Sequence, residues 1–241
     1  MLVIFDVAPL RLTRYNNEIQ HVSEKKDSAV TVDMQLMFEE HSTSNVKTAN
    51  AMMGLIRRSF SYLSCYLFRK LYLAFVRPHL EYAQAVWAPH SKKLISMIEN
   101  VQIRATKLVD GLSSLDYPDR LRKLNLPTLV HRRARGSMIE LYKHFNVYSR
   151  DTLSDSFQPR DRNTRAHGYQ ILERAPKDGV RGLQSNSFYY RHTRTWNNLP
   201  AKVVNAKTLN EFKVNLDEYW DTDPSKFDYL HEDTERSEED N

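Results

Sequence analysis

The chain has a single cysteine, Cys65, which excludes an internal disulfide framework and a cysteine zinc site and suits a reducing compartment. No apolar run approaches the ~20 residues that a membrane span requires. The opening MLVIF is too short for a signal-peptide core and has no basic leader. An intracellular protein of the nucleus or cytoplasm, with no membrane partner, is therefore expected. Glycine is scarce, six in 241 residues, and none sits in a loop that could cradle phosphates. The nine histidines are scattered, with no H-x-x-x-H pair and no carboxylate at useful spacing, so neither a metal nor a cofactor is expected. No serine is paired with a plausible base. Cys65 lies between aromatics on an apolar stretch and reads as a small core hydrophobe.

What the chain does have is apolar mass and uneven charge. Its hydrophobic content of 41%, with 13 Tyr, 10 Phe and 3 Trp, is enough for a folded core. The net charge of +5 hides an asymmetry. Asp217 to Asn241 holds eleven acids and two bases, leaving 33 bases against 19 acids before it, a body of +14. A basic body of this kind suits a polyanionic partner. The acidic stretch 221–241 reads as a disordered tail in which Asp221 and Asp223 are solvated.

Residues 1–33 carry short β-branched stretches, LVIF, EIQHV and AVTV, that read as strands. Met34 to Phe38 leads into the polar HSTSN, where Ser44 or Asn45 would cap a helix from Val46 to Leu63. Its buried stripe would be Val46, Ala49, Met53, Ile56 and Phe60, with Arg57 and Arg58 in the last turn, where cations suit the helix dipole. In FRKLYLAFVRPHLEYAQAVW, Phe68, Leu71, Tyr72, Phe75 and Val76 keep helical spacing, while Arg69, Lys70 and Arg77 fall outside that face. Pro78 should end this helix and open a second one at an angle, with Tyr82, Val86 and Trp87 making the elbow a core. Ser91 then caps a helix with the stripe Leu94, Ile98, Val101, Ala105 and Leu108, closed near Gly111. Lys92, Lys93, Arg104 and Lys107 lie off that stripe.

Pro118 opens a short helix through Leu124. Pro127 precedes a longer one that buries Ala134, Met138, Leu141, Tyr142 and Phe145. Arg132, Arg133 and Arg135 crowd one turn of it and need acidic partners, either a phosphate backbone or Glu140 and its neighbours. Gly136 inside this helix, costing roughly 1 kcal/mol against Ala, points to a close helix contact. Residues 146–186 read as a loop-rich basic connector that includes Arg160, Arg162 and Arg165, with one short strand at YQIL. A C-terminal helical pair, 187–220, follows. Its last helix opens on the Thr208–Glu211 capping box and buries Leu209, Phe212, Leu216 and Tyr219 or Trp220.

The blocks NVKTANAMMGLIRRSFSYL, LYLAFVRPHLEYAQAVWAPHSKKLISMIENVQIRATKLVDGL, YPDRLRKLNLPTLVHRRARGSMIELYKHF and TWNNLPAKVVNAKTLNEFKVNLDEYW occur in one order. Together they resemble the C-terminal region of reverse transcriptases of non-LTR, jockey-like LINE retrotransposons. The resemblance implies the end of the palm, the thumb and a downstream helical tail. Residues 1–33 would be a palm-edge β remnant and 34–145 a thumb-like helical domain. A family turn often written Leu-Gly-Val reads Asp27, Ser28, Ala29, Val30 here. The lost glycine removes the residue that most easily takes positive φ, so that loop is expected to depart from the family shape.

Catalysis is not implied. Two-metal polymerases need carboxylates holding ions about 4 Å apart, and in reverse transcriptases two of them are adjacent aspartates in a Tyr/Phe-x-Asp-Asp hairpin. This chain has no such pair, and Asp6 after LVIF stands alone.

The expected fold is therefore mainly α, a helical thumb-like bundle with a small N-terminal β element and a disordered acidic tail. The expected function is non-catalytic, sequence-nonspecific binding of the RNA or DNA backbone. Its candidate contacts are Arg57, Arg58, Arg69, Lys70, Arg104, Lys107, Arg132, Arg133 and Arg135, with tyrosine and histidine neighbours stacking on bases. The alternative is a helical protein-interaction domain, or a fragment without a selected function. An apolar face left without its palm would favour self-association. One continuous basic face argues for nucleic acid; bases dispersed and paired with acids argue against it.

Overall fold

Residues 13–14, 17–18, 24–146, 170–171 and 187–230 are described by a computed structural model. Two antiparallel ladders open the chain, Thr13–Arg14 (β1) with Asn17–Glu18 (β2) and Glu24–Asp27 (β3) with Val30–Asp33 (β4). The LVIF stretch and Asp6 lie outside the described residues, and EIQHV contributes only Glu18 to them. AVTV supplies β4, but its partner EKKD is a charged strand with no apolar alternation to announce it. The turn between them sets the register. Ser28 and Ala29 take φ of 47° and 66°, the doubly positive pair of a tight hairpin turn. The left-handed conformation is thus kept without glycine, at about 1–2 kcal/mol per residue.

The rest is helical. Helix α1, Glu39–Ser59, starts seven residues before the expected Val46 and runs through HSTSN. Its start is organised from outside the helix. The Asp33 carboxylate accepts the N–H groups of Gln35, Met37 and Phe38 at 3.0, 3.0 and 2.5 Å. That clamp satisfies donors which a Ser44 or Asn45 cap would have served further along. Val46, Ala49, Met53 and Ile56 are buried as their spacing requires, whereas Phe60, just past the helix end, is 37% exposed.

The central rod runs antiparallel to α1 without stopping at Pro78. It comprises α2, Cys65–Leu71, a π-helical turn, Tyr72–Val76, and α3, Arg77–Glu81. A wide turn just ahead of the proline gives room for its ring and absorbs the missing donor. It also realigns the buried face. Residues spaced by four drift about 40° per step around an ordinary helix, and a turn with more residues per revolution removes part of that drift. Phe68, Tyr72, Val76 and Leu80 are therefore all fully buried in one line. Phe75, expected inside, is rotated out and exposed.

The break falls at Tyr82–Ala83, four residues after the proline, with Ala83 at φ 51°. Helix α4, Gln84–Trp87, follows. Of the expected elbow core only Trp87 is buried; Tyr82 and Val86 are 57% and 52% exposed.

Helix α5, Lys92–Thr106, lies parallel to α1 and level with it. Lys93 meets Glu39 at 2.8 Å, Arg104 donates to Asn50 at 3.2 Å, and the Asp110 N–H donates to the Leu63 carbonyl at 3.1 Å. Gly111 turns the chain at φ 77° into α6, Tyr117–Leu124, which is capped by Asp116. Helix α7, Leu129–Asn146, then serves two cores. The first lies among α1, the central rod, α5 and α6. The second joins Met138, Leu141 and Tyr142 of α7 to Trp196, Val203, Phe212 and Leu216. These last four come from α8, Phe188–Asn197, α9, Ala201–Val204, and α10, Leu209–Tyr219. The capping box forms, with the Glu211 N–H donating to Thr208 Oγ1 at 3.1 Å. A Cβ on Gly136 would overlap the Gln84 side chain, which is the close approach between α4 and α7 that this glycine permits.

Of the connector 146–186, Asn146, Gln170 and Ile171 are described, and Arg160, Arg162 and Arg165 lie outside. Ile171 is buried, and its backbone N–H and C=O bond the Asn197 side chain at 2.8 and 2.9 Å.

The acidic stretch needs a correction at its start. The stretch is tied to the helical body where a short 3-10 turn at Pro224–Lys226 docks beside the start of α7, although Asp221 itself stays exposed. Thr128 donates through its N–H to the Lys226 carbonyl at 2.9 Å and through its hydroxyl to the Ser225 carbonyl at 2.7 Å. Asp223 accepts the Ser225 N–H at 2.8 Å, and Asp221 pairs with Lys226 at 2.7 Å. The expected disorder of 231–241 lies outside the described residues.

Burial makes this fold sensitive to acid. His41, His90, His131, His144 and His192 all have lowered pKa values, burial being the first cause in each. For His192, burial and then the Arg191 charge bring the value to about 3. A group depressed in the folded state contributes fully above its unfolded value, near 6.5 for histidine, and loses that contribution as pH falls toward the folded value. Stability should therefore hold from pH 8 to 7 and decline below 6.5. His192 alone should account for about 2 kcal/mol by pH 5. Urea midpoints measured from pH 8 to 5 check this, and a flat profile would show the imidazoles to be solvated.

Candidate nucleic-acid interface

Two segments bonded to each other, the end of α1 through α2 and the end of α5 with the residues after it, carry one set of cations. Arg57 and Arg58 finish α1, Arg69 and Lys70 lie on the open face of α2, and Arg104 and Lys107 finish α5. All six are exposed. The loop joining α1 to α2 is pinned to the chain after α5. The Leu63 N–H donates to the Asp110 carboxylate at 2.6 Å, and the Asp110 N–H donates back to the Leu63 carbonyl at 3.1 Å. Asp110 is the one acid within the two segments, 57–70 and 104–111, that form this end.

A plain signal for this site is present in the sequence. No Asp or Glu occurs between Glu40 and Glu81, a stretch holding six lysines and arginines. Reading helix by helix hides it, because each helix contributes two cations and the set forms only when helix ends meet.

Arg132, Arg133 and Arg135 belong elsewhere. Arg132 grips the Glu81 carboxylate with Nε and Nη2, and Arg135 grips Asp217 the same way at 2.5 and 2.8 Å. Such two-pronged pairs are the strong form of the arginine–carboxylate contact. Arg133 is buried beside Glu99. Burial raises the Glu99 pKa, and the Arg133 charge, the Tyr117 hydroxyl and the N–H groups of Leu129 and Val130 act against that rise. The three arginines join α7 to α3, α5 and α10 rather than facing a partner. Their acids are Glu81, Glu99 and Asp217, which sequence proximity to Glu140 did not suggest.

Cys65 is exposed, not a core residue. It sits at the basic end with three outward aromatics: Phe60, Tyr62 and Tyr66 are 37%, 66% and 70% exposed. The Lys70 ammonium lies 4.4 Å from the centre of the Tyr66 ring, within cation–π range.

At the opposite end a half-open groove of about 610 Å³ runs between the β3–β4 hairpin, the α3–α4 corner, α7 and the start of α8. It is lined mainly by apolar groups such as Val30, Val32, Val86 and Phe188. Among the described residues no three His, Cys, Asp or Glu side chains are grouped to hold a metal ion. Among the same residues no helix is long and apolar enough to cross a membrane.

The fold thus defines a mainly helical domain with a small β element and one basic, aromatic end. Over 110 residues the chain is 30% identical to an uncharacterized protein of Caenorhabditis elegans, B0403.1, an alignment covering 44% of this chain and 56% of that one. It spans about half the length of the curated relative it matches. No family profile and no solved structure matches it.

Proposed function

We propose that this chain is a non-catalytic module that holds the RNA or DNA backbone without reading sequence, at the end formed by α1, α2 and α5. The observation that carries this is a set of six exposed cations, Arg57, Arg58, Arg69, Lys70, Arg104 and Lys107, on two segments that are bonded together through Leu63 and Asp110 and hold one acid between them. Surface cations are usually dispersed among acids, whereas an unbalanced cluster creates a field that draws a polyanion. The ordered sequence blocks resembling non-LTR reverse transcriptases support the same reading and suggest a thumb and tail without the polymerase aspartates. Work on nucleic acid would place the module in the nucleus or cytoplasm.

Backbone binding is recognised by its salt dependence, because each neutralised phosphate releases counterions. Replacing Arg57, Arg58, Arg69 and Lys70 together by Gln should flatten the log–log slope of affinity against salt by up to about three units. Replacing Arg132 and Arg135 instead should leave the slope unchanged and lower stability. Fluorescence anisotropy with a labelled oligonucleotide across a salt series measures both. A parental slope in the fourfold variant would sink the assignment.

One observation favours a second function, protein interaction. Tyr82 and Val86 line the groove at the other end and are more than half exposed, as a self-association surface would be.

A further inference from the structure

The basic end carries more than charge. Phe60, Tyr62 and Tyr66 project from it within seven residues, flanked by Arg57 and Arg58 on one side and Arg69 and Lys70 on the other. Large aromatics left in water forgo a sizeable burial gain, and the chain does bury the one aliphatic residue of this loop, Leu63. The loop is nevertheless held firmly. Its ends are fixed by the Phe60 N–H on the Ile56 carbonyl at 3.2 Å and by Ser64, whose hydroxyl caps α2 through the Leu67 N–H at 3.3 Å. Its middle is fixed by the two Leu63–Asp110 bonds at 2.6 and 3.1 Å. Lys70 steadies the Tyr66 ring without covering it. A rigid loop presenting open rings is preorganised for a planar partner, since little freedom remains to be lost on binding.

Resting on the basic-end function proposed above, we infer that Phe60, Tyr62 and Tyr66 form a stacking platform that selects single-stranded nucleic acid over duplex. The flanking cations hold the phosphates, and the rings receive unpaired bases. A duplex offers only its phosphates here, because its bases are already paired and stacked within the helix. The platform therefore adds affinity for one form and none for the other. Charge complementarity is what singles out this occupant among those that exposed aromatics could accept. No acid faces the rings from 57–70, and Asp110 is engaged by Leu63.

The test compares the full chain with a Tyr62→Ala/Tyr66→Ala variant and a Tyr62→Phe/Tyr66→Phe variant. Both tyrosines lie on the surface, and matching thermal melts would confirm that the variants fold. The probes are a fluorescein-labelled 15-nucleotide oligouridine and a labelled 15-base-pair DNA duplex, titrated by anisotropy at low salt. The Ala variant should lose at least about tenfold in affinity for oligouridine, with duplex affinity and the salt slope of both probes unchanged. The Phe variant should bind oligouridine as the parent does, since stacking needs the ring and not the hydroxyl. Parental oligouridine affinity in the Ala variant overturns the platform while leaving the basic-end function standing. Equal losses for both probes overturn it too, marking the tyrosines as backbone contacts. Failure of the parent to bind either probe overturns the basic-end function itself. A parent that dimerises in sedimentation while the Ala variant does not would assign the rings to a protein contact instead.

Discussion

Replacing Trp87 by Ala should lower the free energy of unfolding by about 3–5 kcal/mol, the range for removing a large aromatic from a core. Trp87 is fully buried although it sits on a four-residue helix. Its indole N–H donates to the Tyr82 carbonyl at 2.5 Å, closing the corner that the left-handed Ala83 opens. Its ring meets His41 edge-on at 5.0 Å, and His41 Nδ1 accepts the Thr31 N–H at 3.3 Å. One side chain thus ties the corner to the start of α1, and through His41 to the hairpin. Its removal leaves a void where the corner, the start of α1 and the hairpin meet. Chemical denaturation with fluorescence from the remaining two tryptophans measures the loss. A midpoint within error of the parent would mean that the ring is not the keystone of this corner.

Glu99→Ala should cost a similar amount, about 3–5 kcal/mol, for an electrostatic reason. Glu99 is fully buried on α5. Its carboxylate accepts the Tyr117 hydroxyl at 2.5 Å and the Leu129 N–H at 3.1 Å from each oxygen. It thereby caps the N-terminus of α7, where a negative charge is favoured, and lies beside the buried Arg133. Removing one member of such a set strands the others in a medium that solvates them poorly. Glu99→Gln should cost less, since an amide oxygen still accepts from Leu129, yet it leaves Arg133 without its counter-charge. The order parent, Gln, Ala in urea midpoints is the expected result. A Glu99→Ala variant within 1 kcal/mol of the parent would show that water reaches this site.

The acidic stretch is tied to the helical body from Asp217 to Lys226. Asp217 holds Arg135, Trp220 packs on His131 with ring centres 5.6 Å apart, and the Pro224–Lys226 turn is bonded to Thr128. A cut after Leu230 removes six acids and one base and leaves a chain of net charge +10 with these contacts in place. It is the form in which to ask whether the terminal acids compete for the basic end.

The sequence by itself determined what depends on local periodicity. Apolar residues at three- and four-residue spacing placed α5 and α7, together with the later part of α1. Prolines and caps placed α6 and α10, and Gly136 marked a close approach before its partner Gln84 was known. These signals act within a turn or two, so they survive in any tertiary setting. The charge asymmetry was equally legible, because it is a count.

Only the tertiary structure decided where charges go and where helices break. The arginines of α7 looked like a partner-facing cluster until Glu81, Glu99 and Asp217 came to them from 34 to 82 residues away in sequence. The central rod passed Pro78 because a π turn absorbed it, which turned Phe75 out. The helix of α1 began early because Asp33, outside it, supplied the cap. The basic, aromatic end exists because the loop after α1 is bonded at Leu63 to Asp110, just past the end of α5. In each case the deciding partner is remote in sequence, and residue spacing along the chain carries no information about which distant group will arrive.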